Sequence, residues 1–134
     1  MDLELQRREK DGVSIFDLKG RLVGGEPVQF LRETLTNAIG AGTRHVILNL
    51  AEVEYIDSSG LGSLVITFTS VKKQGGMLKL LNLSKRNIEL LVLTKLTTVF
   101  EVFDDEQSAV NSFFPNREIK RFDILSFLQE QKDR

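Results

Sequence analysis

Residues 46–50 read Val-Ile-Leu-Asn-Leu, an apolar run broken only by Asn49. Strands with one wet face alternate polar and apolar residues; a strand buried on both faces does not. A sheet with such a strand near its centre must be covered on both sides, and helices are the usual cover. The segments around it fit. Val28, Leu31, Leu35, Ala38 and Ile39 recur with helical spacing before the run, and Leu61, Leu64, Val65, Phe68 and Val71 do so after it. Strand, helix, strand in close succession implies parallel neighbours joined by right-handed crossovers.

The rest of the chain extends this pattern. Asp2–Lys10 alternates weakly and predicts an edge strand, and Lys10-Asp11-Gly12 is a turn. Val13–Lys19 predicts a second strand ending at Gly20, close enough to the first to form a hairpin. Arg21–Glu26, with Gly24 and Gly25, reads as a loop, and Pro27 suits the first turn of a helix that Gly40 and Gly42 close. Beyond the central run, Ser58 or Ser59 is expected to cap a helix ended by Gln74-Gly75-Gly76. Met77–Leu83 predicts a strand and Ser84–Leu96 a helix capped by Ser84. Thr98–Phe103 predicts the last strand. Asp104 is expected to start a further helix, with Gln107 as its capping-box partner and Ala109, Val110 and Phe113 facing inward. The expected fold is α/β: a mixed β-sheet flanked by helices, over residues 1–114. Residues 115–134 form an extension in which Ile119, Phe122, Ile124, Leu125, Phe127 and Leu128 cover too much of a helical wheel to be left bare. Two readings stay open: a helix packed on its own domain, or an interface helix through which a homodimer would form.

Composition removes several functions. With 134 residues the chain holds one real core. Its 18 basic and 19 acidic residues leave no surplus to neutralise a phosphate backbone, which argues against nucleic acid. The absence of cysteine excludes disulfides and thiolate sites and fits a reducing, cytoplasmic setting. No apolar run approaches membrane-spanning length, and the charged N-terminus reads as neither signal nor transit peptide. His45, the single histidine, stands at the entrance of a strand, where a satisfied structural residue is expected rather than a catalytic base. Asp104, Asp105 and Glu106 complement a helix dipole more simply than they bind a cation. No metal site, cofactor or catalytic residue is expected.

The stretch Tyr55-Ile56-Asp57-Ser58-Ser59-Gly60-Leu61-Gly62 lies where the buried strand turns into a helix. Ligands of open α/β sheets bind past the carboxyl ends of parallel strands. A serine at a helix start meets unpaired N–H groups and the positive end of the dipole, so a phosphate attached to it is tolerated. Ser58, Gly62 and Ile66 share one side of the helix, away from the inner stripe, so Ile66 is predicted to point outward beside an exposed hydroxyl. Against this stands a plainer reading, a serine cap with small residues needed for close packing.

On these residues the sequence resembles the STAS-domain family, specifically bacterial anti-sigma-factor antagonists. The resemblance covers roughly Leu3–Phe114. It rests on Gly20-Arg21-Leu22, on RHVILNL and YIDSSGLGSL, and on the later GGMLKLLNLS and TTVFEVFDDEQSAV. It implies a phosphoswitch in transcription regulation by partner switching. An anti-sigma factor that is also a serine kinase, and supplies its own ATP, phosphorylates Ser58. The unmodified antagonist binds that kinase and releases the sigma factor, and a PP2C-type phosphatase resets the switch. Partner contacts then fall to Asp57, Ser59, Gly60, Gly62 and Ile66, and to Val23 and Glu26 in the loop after the second strand. Val23 stands where many members carry an aspartate, and Glu26 offers an acid from a shifted position. The chain would be a substrate and a binder, not an enzyme. The same fold also serves as an unphosphorylated scaffold subunit in larger signalling or lipid-transport assemblies, and that reading remains as the alternative. A weaker third, nucleotide binding by the domain itself, has no phosphate-loop motif behind it.

Overall fold

The computed structural model describes residues 2–132. A five-stranded sheet runs in sequential order: β1 (Leu3–Lys10), β2 (Val13–Leu22), β3 (His45–Ile56), β4 (Met77–Leu81) and β5 (Val102–Phe103). β1 and β2 are an antiparallel hairpin, and every later pairing is parallel. Helices α1 (Glu26–Gly40), α2 (Ser58–Lys73) and α3 (Lys85–Leu93) make the crossovers; α4 (Glu106–Asn111) and α5 (Ile124–Lys132) follow the last strand. The mixed sheet expected from the sequence is therefore present.

The doubly buried strand explains the two cores. Val46, Leu48 and Leu50 of β3 join Leu31 and Leu35 of α1, Leu61 and Leu64 of α2, and Ile88 and Leu91 of α3 in one cluster. Ile47, on the other side of the strand, joins Val13, Ile15, Leu81 and Phe103 under Ala109 and Val110 of α4. Asn49, which breaks the run, is only half-buried and meets polar partners. Its Nδ2 donates to Asp17 Oδ1 at 2.8 Å, and Asp17 accepts from Arg8, which also pairs with Glu106 at the start of α4. Burial pushes the Asp17 carboxyl up, but the donors Arg8 and Asn49 outweigh it and hold the group below its ordinary value.

Several element boundaries differ from expectation. β2 continues past Gly20 to Leu22, and β3 past Leu50 to Ile56, because these two ends pair with each other: Gly20 lies opposite Val53 and Leu22 opposite Ile56. β4 stops at Leu81 and β5 contains only Val102 and Phe103, so the long end of β3 projects beyond its other neighbour. α3 ends at Leu93, and Lys95, with φ of 62°, turns the chain into a short 3-10 segment, Leu96–Thr98. α4 is capped by Asp105, not Asp104; the Ser108 amide donates to Asp105 Oδ2 at 2.9 Å, while Gln107 bonds Asn111 instead of closing a capping box.

β1 approaches the carboxyl end of β2 very closely. Leu3 lies opposite Gly20, and the Arg21 amide donates to the Asp2 carbonyl at 2.9 Å. A Cβ on Gly20 would stand 2.0 Å from that carbonyl oxygen, and φ there is +118°, so only glycine fits. At the other end of the chain, Phe122, Ile124, Phe127 and Leu128 pack against the first core, while Leu125 is 77% exposed. Among the described residues no helix is long and apolar enough to cross a membrane.

Candidate functional site

The site lies where β3 passes into α2. Ile56 is anchored in the core, Asp57 leaves the strand in an extended conformation, and the helix begins at Ser58. The expected serine cap is corrected here: Asp57 is the cap. The Gly60 amide donates to Asp57 Oδ1 at 2.7 Å. All three residues can cap a helix, and the position of the strand end decides which one does. Asp57 Oδ2 also accepts from the Gly24 amide at 3.1 Å. One carboxylate thus ties the β2–α1 loop to the start of α2. The Gly60 amide, foremost, holds this carboxyl below its ordinary range; desolvation opposes it, and the Gly24 and Ser59 amides and the charge of Arg21 add to the lowering.

Capping by Asp57 leaves the hydroxyls of Ser58 and Ser59 free of that duty, and both residues are exposed. The glycines differ from one another. A Cβ on Gly60 would lie 2.1 Å from the Leu22 carbonyl oxygen, so Gly60 lets α2 sit directly on β2. A Cβ on Gly62 would meet nothing within 4 Å. Packing within the chain gives no reason for a glycine at this helical position, which costs about 1 kcal/mol relative to alanine. One turn further on, Ile66 is 55% exposed, as its spacing from Ser58 requires. Leu61, Leu64 and Val71 are buried on the opposite side, with Val65 and Phe68 packed at its margin.

The loop after β2 belongs to the same surface. Val23 is half-buried, Gly24 is exposed, and Glu26 is exposed in the first turn of α1. A Cβ on Gly24 would lie 3.0 Å from Ser59 Cβ, which measures how tightly the loop meets the helix start. The sequence alone does not mark Gly24 or Arg21 as partners of Asp57. The Gly-Gly pair signalled only a turn; its amide contact to Asp57 depends on β2 and β3 ending side by side. Arg21 belongs to β2 and not to the expected loop, because it pairs with Tyr55 where the ends of β2 and β3 run side by side. His45, at the start of β3, stacks on Phe113 with ring centroids 4.7 Å apart, a structural role.

Known proteins share this chain's sequence and fold. An anti-sigma-B factor antagonist of Staphylococcus aureus is 33% identical over 106 residues, covering 76% of this chain and 94% of that protein. The anti-sigma-B factor antagonist of Bacillus subtilis is 48% identical over 61 residues, which span 46% of this chain and only 56% of that relative. The phosphorylated form of SpoIIAA, a Bacillus cell fate determinant, superimposes with a TM-score of 0.65 at 21% identity, covering 83% of this chain and all of that one. Residues 4–109 match the STAS domain model, over most of the chain and including the helix start at Ser58: the chain belongs to the STAS-domain family.

Proposed function

We propose that this protein is an anti-sigma-factor antagonist. Its unmodified form binds an anti-sigma factor that is a serine kinase, and phosphorylation on Ser58 ends that binding. The observation that carries this reading is the outward strip Ser58, Gly62 and Ile66. It contains an exposed hydroxyl, a glycine that no neighbour in the chain requires, and an apolar side chain 55% exposed. A bare helix surface of this kind lets another protein approach the backbone, and a central apolar residue gives it something to bury. Asp57, Ser59 and Gly60 shape the helix start, and Val23 and Glu26 extend the contact onto the adjoining loop. The relatives named as anti-sigma-factor antagonists support the role, and the phosphorylated Bacillus protein supports the modification.

The phosphate would act on the complex more than on the fold. At a helix start a negative charge gains about 0.3–1 kcal/mol in an exposed position. The ionised Asp57 next to it opposes the gain, and solvent screens both. In a docked interface the same phosphate loses its water, and an uncompensated buried charge is costly. A phosphatase of the PP2C type would restore the binding form. Incubation with the cognate kinase and labelled ATP, followed by phosphopeptide mapping, tests the assignment. Phosphate on Ser58 is expected; phosphate only on Ser59 or elsewhere overturns it.

A further inference from the structure

The charges beside Ser58 are not all negative. Arg21, at the end of β2, lies opposite Tyr55 in the register of β2 and β3. Its guanidinium carbon stands 5.5 Å from the centre of the Tyr55 ring, and that of Arg86, in the first turn of α3, stands 4.5 Å from the same centre. Two guanidiniums therefore gather on one ring, held there by cation–π attraction.

The backbone fixes both arginines near the switch. The Asp57 amide donates to the carbonyl of Leu22, the residue after Arg21, at 3.2 Å. Asn87, the residue after Arg86, is buried and donates from Nδ2 to the Val53 carbonyl at 3.2 Å, which pins the start of α3 to β3. Arg21 also lies close enough to Asp57, the residue before Ser58, for its charge to help hold that carboxyl below its ordinary range.

These two arginines are also uncommitted. Arg7 donates to Ser14 and Thr43, Arg8 to Asp17 and Glu106, Arg44 to the Ile39 carbonyl, and Arg117 to Asp11. The side chains of Arg21 and Arg86 are exposed, and among the described residues neither guanidinium makes a hydrogen bond or a close ion pair. The nearby Asp57 carboxylate already accepts from the Gly60 and Gly24 amides. A guanidinium with free donors fits the oxygens of a phosphate monoester, which it can hold in bidentate fashion.

We propose that Arg21 and Arg86, ordered on the Tyr55 ring, form a phosphate-receiving site that is taken by the phosphate on Ser58. This rests on the reading of Ser58 as the phosphoacceptor. Its consequence is that modification does more than add charge to the docking strip. It draws two cations inward, and a partner that used them for its own acidic groups loses them at the same moment.

The test uses the full chain with phosphoserine incorporated at position 58 during synthesis, so no kinase is needed. The proposal can then fail independently of whether the cognate kinase chooses Ser58. Phosphorus NMR follows the second ionisation of the phosphate, near pH 6 when unperturbed. It is expected about half a unit or more lower in the folded chain than in a phosphoserine peptide of the same local sequence. Arg86→Gln and Arg21→Gln should each raise it, and the double variant should raise it most, leaving only the effect of the helix start and of Asp57. Arg86→Lys should restore part of the lowering. Both arginines are exposed, so these variants are expected to fold, as the amide spectrum would show. Identical titration of the parent and the double variant overturns the proposal. A second arm adds sodium phosphate or ATP to the unmodified chain and follows the arginine Nε–H signals. If those signals move while the phosphoserine titrates like the peptide, the site takes an external phosphate, and the assignment to Ser58 is overturned.

Discussion

Gly60 and Gly62, two residues apart, carry opposite expectations. Gly60→Ala drives a methyl against the Leu22 carbonyl, 2.1 Å away, and the backbone of β2 has little room to yield. A loss of about 2–4 kcal/mol is expected, read as a fall in denaturation midpoint. Gly62→Ala meets open space within a helix, so the isolated protein should gain about 0.5–1 kcal/mol. The same methyl should weaken kinase binding, so melting temperature and affinity move in opposite senses; a variant that is more stable and binds unchanged removes Gly62 from the interface. Asp57 makes a pH-dependent contribution. Its folded carboxyl titrates below the unfolded value of about 3.9, so its stabilisation is complete above that value and is lost as pH falls through the folded one. Asp57→Asn should therefore flatten the acid limb of a melting-temperature profile below about pH 4. It should also weaken kinase binding or phosphorylation near neutrality; if both are unchanged, Asp57 is a structural cap alone. At this scale the sequence showed which side of α2 faces outward, because helical spacing fixes it. It did not show which of three capping residues takes the role, because that depends on where β3 ends.

Among the elements, β3 was the most legible in kind and the least in length. Val46–Leu50 marks a doubly buried strand, yet the strand runs on through Ala51–Ile56. There Glu52 and Glu54 are exposed and only β2 continues alongside, so no continuous apolar signal exists. β5 was overextended for the converse reason: Phe100 is buried in the core without belonging to a strand. The tail was legible as a helix but not in its destination. Phe122, Ile124, Phe127 and Leu128 turn inward onto the first core, and the rings of Phe122 and Phe127 meet at 5.4 Å. Phe127→Ala should cost about 1–2 kcal/mol, less than a fully buried ring, because the side chain is half-buried. Calorimetry would show this, and the rate of phosphate incorporation at Ser58 should be unaffected. A rate that falls with the melting temperature would mean that α5 reaches the partner surface.

Across the whole molecule, the side chains that hold the fold are distinct from the strip proposed for docking. The two cores hold the sheet and its helices, while Ser58, Gly62 and Ile66 contribute little to either. Phosphorylation of Ser58 should thus change affinity far more than melting temperature. A worsening of about 2.8 kcal/mol corresponds to a hundredfold loss of kinase binding. Ser58→Glu should reproduce part of it, since a carboxylate carries less charge than a phosphate. Paired titrations of affinity and melting temperature check the expectation; a modified protein that melts far lower yet binds equally well would contradict it. The antiparallel hairpin adds a practical consequence. Because Leu3 lies opposite Gly20 and Asp2 is bonded to Arg21, Asp2 stands at the end of the sheet where β2 and β3 finish, the end at which Ser58 begins α2. If Ser58, Gly62 and Ile66 form the docking strip, an affinity tag or fluorescent reporter fused at the N-terminus should lower the measured affinity for the partner more than the same tag fused at the other terminus, and paired binding assays on the two fusions would show it.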